Sequence, residues 1–305
     1  MLPVDKRADQ TIDAAIAEWL REDAPPAVAL DADRVRLLLR IDLNGVGALL
    51  ALKSDRAELH KDLAQALQQR LMAREMWEEQ HRRVLAQALD ALKGVGLNPI
   101  LMKGTALAYS HYPRPSGRVR GDSDILVEPE GRARAFEALE EAGFRRPLSA
   151  GGSIVVAEAP FQKADLAGQD HDIDLHWRLN SSPVVAALFT HAELLANAQP
   201  IEALHPSARR LSDVDSLLFA AVHRRLHVDR PTHIHLNRVA HPVIDTLSWL
   251  MDIDLLFSSL TDEDCKRLVE QARLKGIADI LAETLRRAQL RLGTKVSQAT
   301  IDELE

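Results

Sequence analysis

Two kinds of apolar spacing follow one another along the chain, and the places where one gives way to the other divide it into regions. Residues 8–52 carry helical stripes. Ala14, Ala15, Ile16, Trp19 and Leu20 form one before Pro25-Pro26, Val35 to Ile41 form a second before Asn44-Gly45, and Val46 to Leu50 form a third. Ser54-Asp55 has the form of an N-cap. After it Leu59, Leu63, Leu67, Leu71, Trp77, Val84, Leu85, Leu89 and Leu92 recur near one helical face until Lys93-Gly94. Such a helix spans roughly 55 Å at 1.5 Å per residue, with a bend expected near residues 70–75. It reads as a spine leading into the next region, with a coiled-coil seam as the alternative. Beyond Gly94 the period shortens. Strands are predicted over 97–102, 122–127, 144–147, 153–157, 161–164 and 171–179, with helices at 104–112 and from Pro129 to Gly143. From Asp213 the helical period returns, over 213–227, 242–259, 262–274 and 277–291. The expected organisation is an N-terminal helical region (1–77), a central α+β core (78–205) built as a mixed sheet with helices on one face, and a C-terminal helical domain (206–305).

The chemistry-bearing residues cluster in the central region. Asp122-Ser123-Asp124 runs straight into the apolar Ile125-Leu126-Val127. Side chains alternate along a strand, so Asp122 and Asp124 share a face with Cα atoms ~6–7 Å apart. Two like charges at the mouth of a buried strand repel unless a cation sits between them, and hard oxygen ligands suit Mg2+ or Mn2+. On that reading Asp124→Asn leaves the fold intact or slightly stabilises it. In 171–179 the same alternation puts Asp172, Asp174, His176 and Arg178 on one face, opposite Ile173, Leu175 and Trp177.

Gly104-Thr105 at a helix start, followed by Asp-x-Asp on a strand, resembles the nucleotidyltransferase superfamily that includes DNA polymerase beta. The wording LMKGTALA, then YP, an Arg-rich turn, DSDILV and IDLHWRL is most similar to its uncharacterised bacterial nucleotidyltransferase branch, over residues 78–290. The resemblance implies the polymerase beta-like core and a metal-dependent transfer of NMP from an NTP, ATP foremost, to an acceptor hydroxyl with release of pyrophosphate. It makes Asp122, Asp124 and Asp174 the metal-binding and catalytic carboxylates, with Asp174 rather than Asp172 as the third. Lys103, Gly104, Thr105, Arg118, Arg120 and His176 become candidate nucleotide contacts. Gly-Thr departs from the usual Gly-Gly or Gly-Ser but keeps the hydroxyl. Two alternatives stand beside this: a catalytically silent protein that binds a nucleotide or partner, and a metal-dependent phosphohydrolase.

Composition narrows the partners. A net charge of −7 over 305 residues argues against a broad nucleic-acid surface, so a small-molecule or protein acceptor is favoured over tRNA. The single Cys265 fits a reducing compartment. The N-terminus lacks a signal-peptide core, and no apolar run approaches ~18 residues, so no membrane segment and a cytoplasmic location are expected. His223 and His227, four apart on a predicted helix, have a spacing that zinc can use, and His233, His235 and His241 follow. HRRLH lacks the glutamate of a metalloprotease motif, and roles in packing or cleft lining fit these histidines better.

Overall fold

A computed structural model describes residues 5–22, 25–54, 59–147, 157–228, 233–234, 240–241 and 245–305. The chain forms two compact units. One comprises Met1–Arg74, Ser116–Val119 and Ser216–Glu305; the other comprises Glu75–Pro115 and Arg120–Asp215.

The chain opens with α1 (Lys6–Arg21), α2 (Ala27–Asp31), α3 (Arg34–Leu43) and α4 (Gly47–Ser54). Asp5 and Asp33 cap α1 and α3 through their carboxylates. The apolar stripes put Ile16, Trp19, Leu37 and Ile41 fully inside, while Val35 and Leu39 of the second stripe are exposed. Ser54 ends α4 instead of capping the long helix; Asp55 lies outside the described residues. The long helix, α5 (Lys61–Gly94), is one element of 34 residues, and the division between the units falls at Arg74 within it.

The sheet unit follows: β1 (Ile100–Met102), α6 (Lys103–Ser110), β2 (Asp122–Leu126), α7 (Arg132–Glu141), β3 (Glu158–Ala164), β4 (Asp170–His176), α8 (Pro183–Ala186), α9 (His191–Ala196), β5 (Gln199–Pro200) and β6 (Arg209–Arg210). The sheet is mixed, in the order β3-β4-β2-β1-β6-β5, with β4 parallel to β2 and β2 antiparallel to β1. Its core joins Val84, Leu85, Leu89 and Leu92 of α5 and Ala135 and Leu139 of α7 to Leu101, Ile125, Ile173 and Leu175 of the strands. This is the α+β architecture expected from the sequence.

Several strand limits differ. β1 starts at Ile100, not 97, because the Leu97 N–H closes the end of α5 on the Leu92 carbonyl and Pro99 has no N–H for a ladder. Residues 144–147 give only a bridge between Arg145 and Gln162, since the Phe144 N–H caps α7 on Leu139. Of the strand expected at 153–157, residues 153–156 lie outside the described residues. α9, capped by Thr190 on the Glu193 N–H, and the two-residue β5 and β6 were not anticipated.

The remaining elements are α10 (Asp213–Val228), β7 (His233–Ile234), β8 (Ala240–His241), α11 (Leu247–Ser259), α12 (Asp262–Leu274), α13 (Ala278–Leu292) and α14 (Gln298–Leu304). A reciprocal capping box of Thr261 and Asp264 starts α12, and Gly293 ends α13 in the left-handed conformation. Within this unit buried polar groups tie the first helices to α11. Arg40 and Asn44 donate to Asp13, and Asn44 Oδ1 accepts from the Leu247 N–H at 3.1 Å. Among the described residues no helix is long and apolar enough to cross a membrane.

Candidate active site

The parallel register of β2 on β4 sets Asp122 opposite Asp172 and Asp124 opposite Asp174. Adjacent strands lie ~4.8 Å apart, so four carboxylates form two rungs of one ladder on one face of the sheet. Ser123, Ile125, Ile173 and Leu175 point the other way and are fully buried. The sequence reading made Asp172 and Asp174 rivals for a single level. The structure instead gives each a partner on β2. Asp172 accepts from Gln162 Nε2 at 2.6 Å, whereas Asp174 has burial and its acidic neighbours as its main influences.

From the other side, β1 brings Met102 opposite Asp124 and then turns into α6 at Lys103. Lys103 takes φ +51°, the left-handed region that a side chain with a Cβ seldom occupies, and its Nζ lies 2.6 Å from Asp124 Oδ1. His176 Nε2 lies 2.8 Å from the same oxygen. The other ring nitrogen of His176 lies 3.1 Å from Glu158 Oε2 without the alignment of a hydrogen bond.

These contacts split the carboxylates electrostatically. Burial pushes Asp124 up, but the Lys103 charge and the His176 hydrogen bond outweigh it and hold the group well below the usual carboxylate range. Asp174 lacks such a cation. Burial, then Asp122 and Asp124, push it up to about 7. Burial and Asp124 also raise Asp122, against Lys103. A carboxyl whose folded pKa is raised favours the folded state fully below its unfolded value near 4, and that contribution is lost as pH rises through about 7. Asp174→Asn is therefore expected to gain melting temperature over wild type progressively between pH 4 and 8 with EDTA present; a constant difference would contradict the repulsion.

The other expected contacts are placed differently. Gly104 is buried at the start of α6. The Thr105 hydroxyl is also buried and pairs with Ser123 Oγ at 2.8 Å, on the helix-covered side of the sheet. Arg120 gives Nε to Thr105 Oγ1 at 2.9 Å and an Nη to Glu78 at 2.7 Å, while Tyr109 donates to the same Glu78 oxygen. In the helical unit, Arg118 is buried in a bidentate pair with Asp252. Both arginines, candidate nucleotide contacts from the sequence, are buried and held by carboxylates, Arg118 by Asp252 and Arg120 by Glu78. Removing one member of such a pair costs about 3–5 kcal/mol, so Arg118→Ala should lower unfolding stability on that scale while nucleotide affinity, by calorimetry on folded protein, is unchanged.

The sequence reading missed what supports Ser123. His81 Nε2 lies 2.6 Å from Ser123 Oγ, and His81 Nδ1 lies 3.2 Å from His171 Nδ1. His171 reaches Asp165 at 3.2 Å, and Trp77 stacks on His81 with centroids 4.2 Å apart. The phrase Glu78-Glu79-Gln80-His81 was the available signal. In the helical unit, His223 and His227 pack ring to ring at 4.2 Å beside Trp249. Among the described residues no three His, Cys, Asp or Glu side chains converge as a ready metal site. His233 and His241 sit on paired β7 and β8, and His235 lies outside the described residues.

A comparison with curated proteins returns no match. The family described as uncharacterised nucleotidyltransferase matches residues 32–293, a stretch that holds β1, β2, β4 and the carboxylates of Asp122, Asp124, Asp172 and Asp174. The chain belongs to the uncharacterised nucleotidyltransferase family.

Proposed function

We propose that the protein transfers an NMP group from an NTP, with ATP the first candidate, to an acceptor hydroxyl, and that Asp122, Asp124 and Asp174 hold the required Mg2+ or Mn2+. The observation that carries this is the β2/β4 register, which lines Asp124 up with Asp174 and leaves Asp122 beside them. The donor set fits hard divalent ions, since it is all carboxylate oxygen and two of its members, Asp122 and Asp174, have pKa values raised by burial and by their acidic neighbours. Two such ions, when bound, would clamp the attacking and leaving oxygens of an in-line displacement at the α-phosphate. The protein's own part is positioning. His176 steadies Asp124, Asp174 is the carboxylate assigned to the acceptor side, and Gly104 at the start of α6 lets backbone N–H groups approach the triphosphate. Thr105 contributes through its N–H, its hydroxyl being engaged with Ser123.

Lys103 has two tasks on this reading. It neutralises Asp124 before substrate arrives and moves to the triphosphate when Asp124 is needed. Lys103→Met is then expected to raise Mn2+ affinity severalfold without nucleotide while weakening nucleotide binding about tenfold, or roughly 1.4 kcal/mol. Electron paramagnetic resonance of free Mn2+ and calorimetry with a non-hydrolysable ATP read the two halves. The Lys103–Asp124 pair also supports a second reading, a silent nucleotide-binding protein whose lysine stays on the aspartate. Incubation with each α-labelled NTP, Mg2+ and cell extract separates them: label passing to an acceptor supports transfer, and nucleotide binding with no labelled product in any extract supports the silent protein.

A further inference from the structure

We infer that Ser123 and His81 are positioning residues for the transfer. Ser123 fixes the first turn of α6 against the carboxylate strand β2 through its hydroxyl, and His81 holds that hydroxyl. The inference rests on the nucleotidyl-transfer reading and adds the device that keeps the triphosphate end of α6 level with the carboxylates.

Ser123 stands between Asp122 and Asp124 but faces the other side of the sheet, where it is fully buried. Ile125, Ile173 and Leu175 on that side are apolar and belong to the core. A hydroxyl placed there loses water and is tolerated when hydrogen-bonded. Its two partners come from different helices. Thr105 Oγ1, in the first turn of α6, lies at 2.8 Å, and His81 Nε2, on α5, lies at 2.6 Å. The Thr105 hydroxyl is also 3.3 Å from the Asp122 carbonyl, so it meets β2 at two successive residues. The pairing of Met102 with Asp124 sets where α6 begins. It does not set the direction α6 takes, because the chain turns through the left-handed region at Lys103. The Thr105–Ser123 bond supplies that second constraint. A displacement of ~1 Å at a reacting centre can cost about a hundredfold in rate.

Counting hydrogens shows that the chain behind Ser123 is complete. Asp165, between β3 and β4, accepts the Ala167 and Gln169 N–H groups on Oδ1 and faces His171 Nε2 with Oδ2 at 3.2 Å. With one hydrogen on each ring, His171 carries its own on Nε2 and accepts at Nδ1 from His81 Nδ1, 3.2 Å away. His81 then presents a bare Nε2, to which Ser123 donates. Ser123 accepts from Thr105, and Thr105 accepts from Arg120 Nε at 2.9 Å. Each link has a donor and an acceptor, and a buried network satisfied throughout is rigid. It also reaches both carboxylate strands, since His171 directly precedes Asp172 on β4. Two contacts brace His81 on α5. Trp77 stacks on its ring, and Glu78, one turn before it, holds Arg120 at 2.7 Å.

The test compares wild type with Ser123→Ala, His81→Phe and the double variant. Electron paramagnetic resonance gives Mn2+ affinity with and without a non-hydrolysable ATP, and the ratio reports how well α6 and the carboxylates are aligned. In wild type the nucleotide is expected to raise Mn2+ affinity at least tenfold. Each single variant should keep Mn2+ affinity without nucleotide within threefold of wild type. The ratio should fall at least fivefold, and label transfer from α-labelled ATP in cell extract should fall at least tenfold. The double variant should be no worse than the lower single variant, because both changes remove the same bond. Ser123→Cys keeps the volume and is read in the same way if the alanine variant does not fold. An unchanged ratio or unchanged transfer in a folded Ser123 variant, or losses that multiply in the double variant, would overturn the inference. So would Mn2+ affinity without nucleotide that falls in step with the ratio, which would make the chain a support of the fold alone. Failure of the transfer reading looks different: wild type itself would transfer no label, before any variant is compared.

Discussion

Asp124→Asn is expected to abolish nucleotidyl transfer, with kcat/KM down at least a thousandfold, about 4 kcal/mol in transition-state free energy. Asp124 is the residue on which every strand of the site converges. It shares a rung with Asp174, faces Met102 across β1, and accepts from both Lys103 and His176. The neutral amide is a poorer ligand for a hard divalent ion and no longer attracts the lysine. The structure also changes the expected effect on stability. Relief of like-charge repulsion predicted a fold unchanged or slightly stabilised, but Asp124 is the best-compensated of these carboxylates, its pKa pulled down rather than up. The variant leaves the Lys103 ammonium without its closest anion. Because Lys103 keeps 26% of its side-chain surface exposed, the loss should stay near 1–3 kcal/mol, below that of a fully buried pair. Urea unfolding of both proteins measures it; an Asn variant at least as stable as wild type would contradict the pairing.

The second large effect separates neighbours on β4. Asp174→Ala should cost several kcal/mol in kcat with nucleotide affinity changed far less, the scale of a lost catalytic metal contact. Asp172→Ala should cost under about 1 kcal/mol, as an ordinary partly exposed substitution does. The distinction rests on partners. Asp172 is level with Asp122 but held by Gln162, while Asp174 is level with Asp124 and pushed up to about 7 by burial and its acidic neighbours. Steady-state kinetics of the two variants decide it. If the order reverses, Asp172 is the third ligand.

Much of this was legible in the sequence. The alternation puts Asp122 and Asp124 on one face of their strand, and Asp172 and Asp174 on one face of theirs. The helical stripe ending at Gly94 locates a helix because apolar spacing and a stop residue coincide there. Periodicity could not supply pairings between distant segments. That Arg118 belongs to Asp252 and Arg120 to Glu78 depends on tertiary packing, and a Pro/Gly/Ser/Arg turn reads as solvated until that packing is known. The same holds for Ser123: as the middle residue of Asp-Ser-Asp it looks like a spacer, yet it anchors the buried His81–His171 pair. Lys103 was visible as a cation near phosphate chemistry, but its left-handed backbone and its hold on Asp124 follow from the β1–α6 turn. Two-residue strands such as β5 and β6 are too short for any spacing to register.

The most direct measurement of the central claim follows both ends of the nucleotide. With Mg2+, α-labelled ATP and an extract fraction supplying acceptor, wild-type protein is predicted to release pyrophosphate in step with transfer of the α-label to a new species. Asp124→Asn and Asp174→Ala should do neither. Release of orthophosphate in place of pyrophosphate, or label transfer that survives loss of Asp124, would contradict nucleotidyl transfer at this ladder of carboxylates.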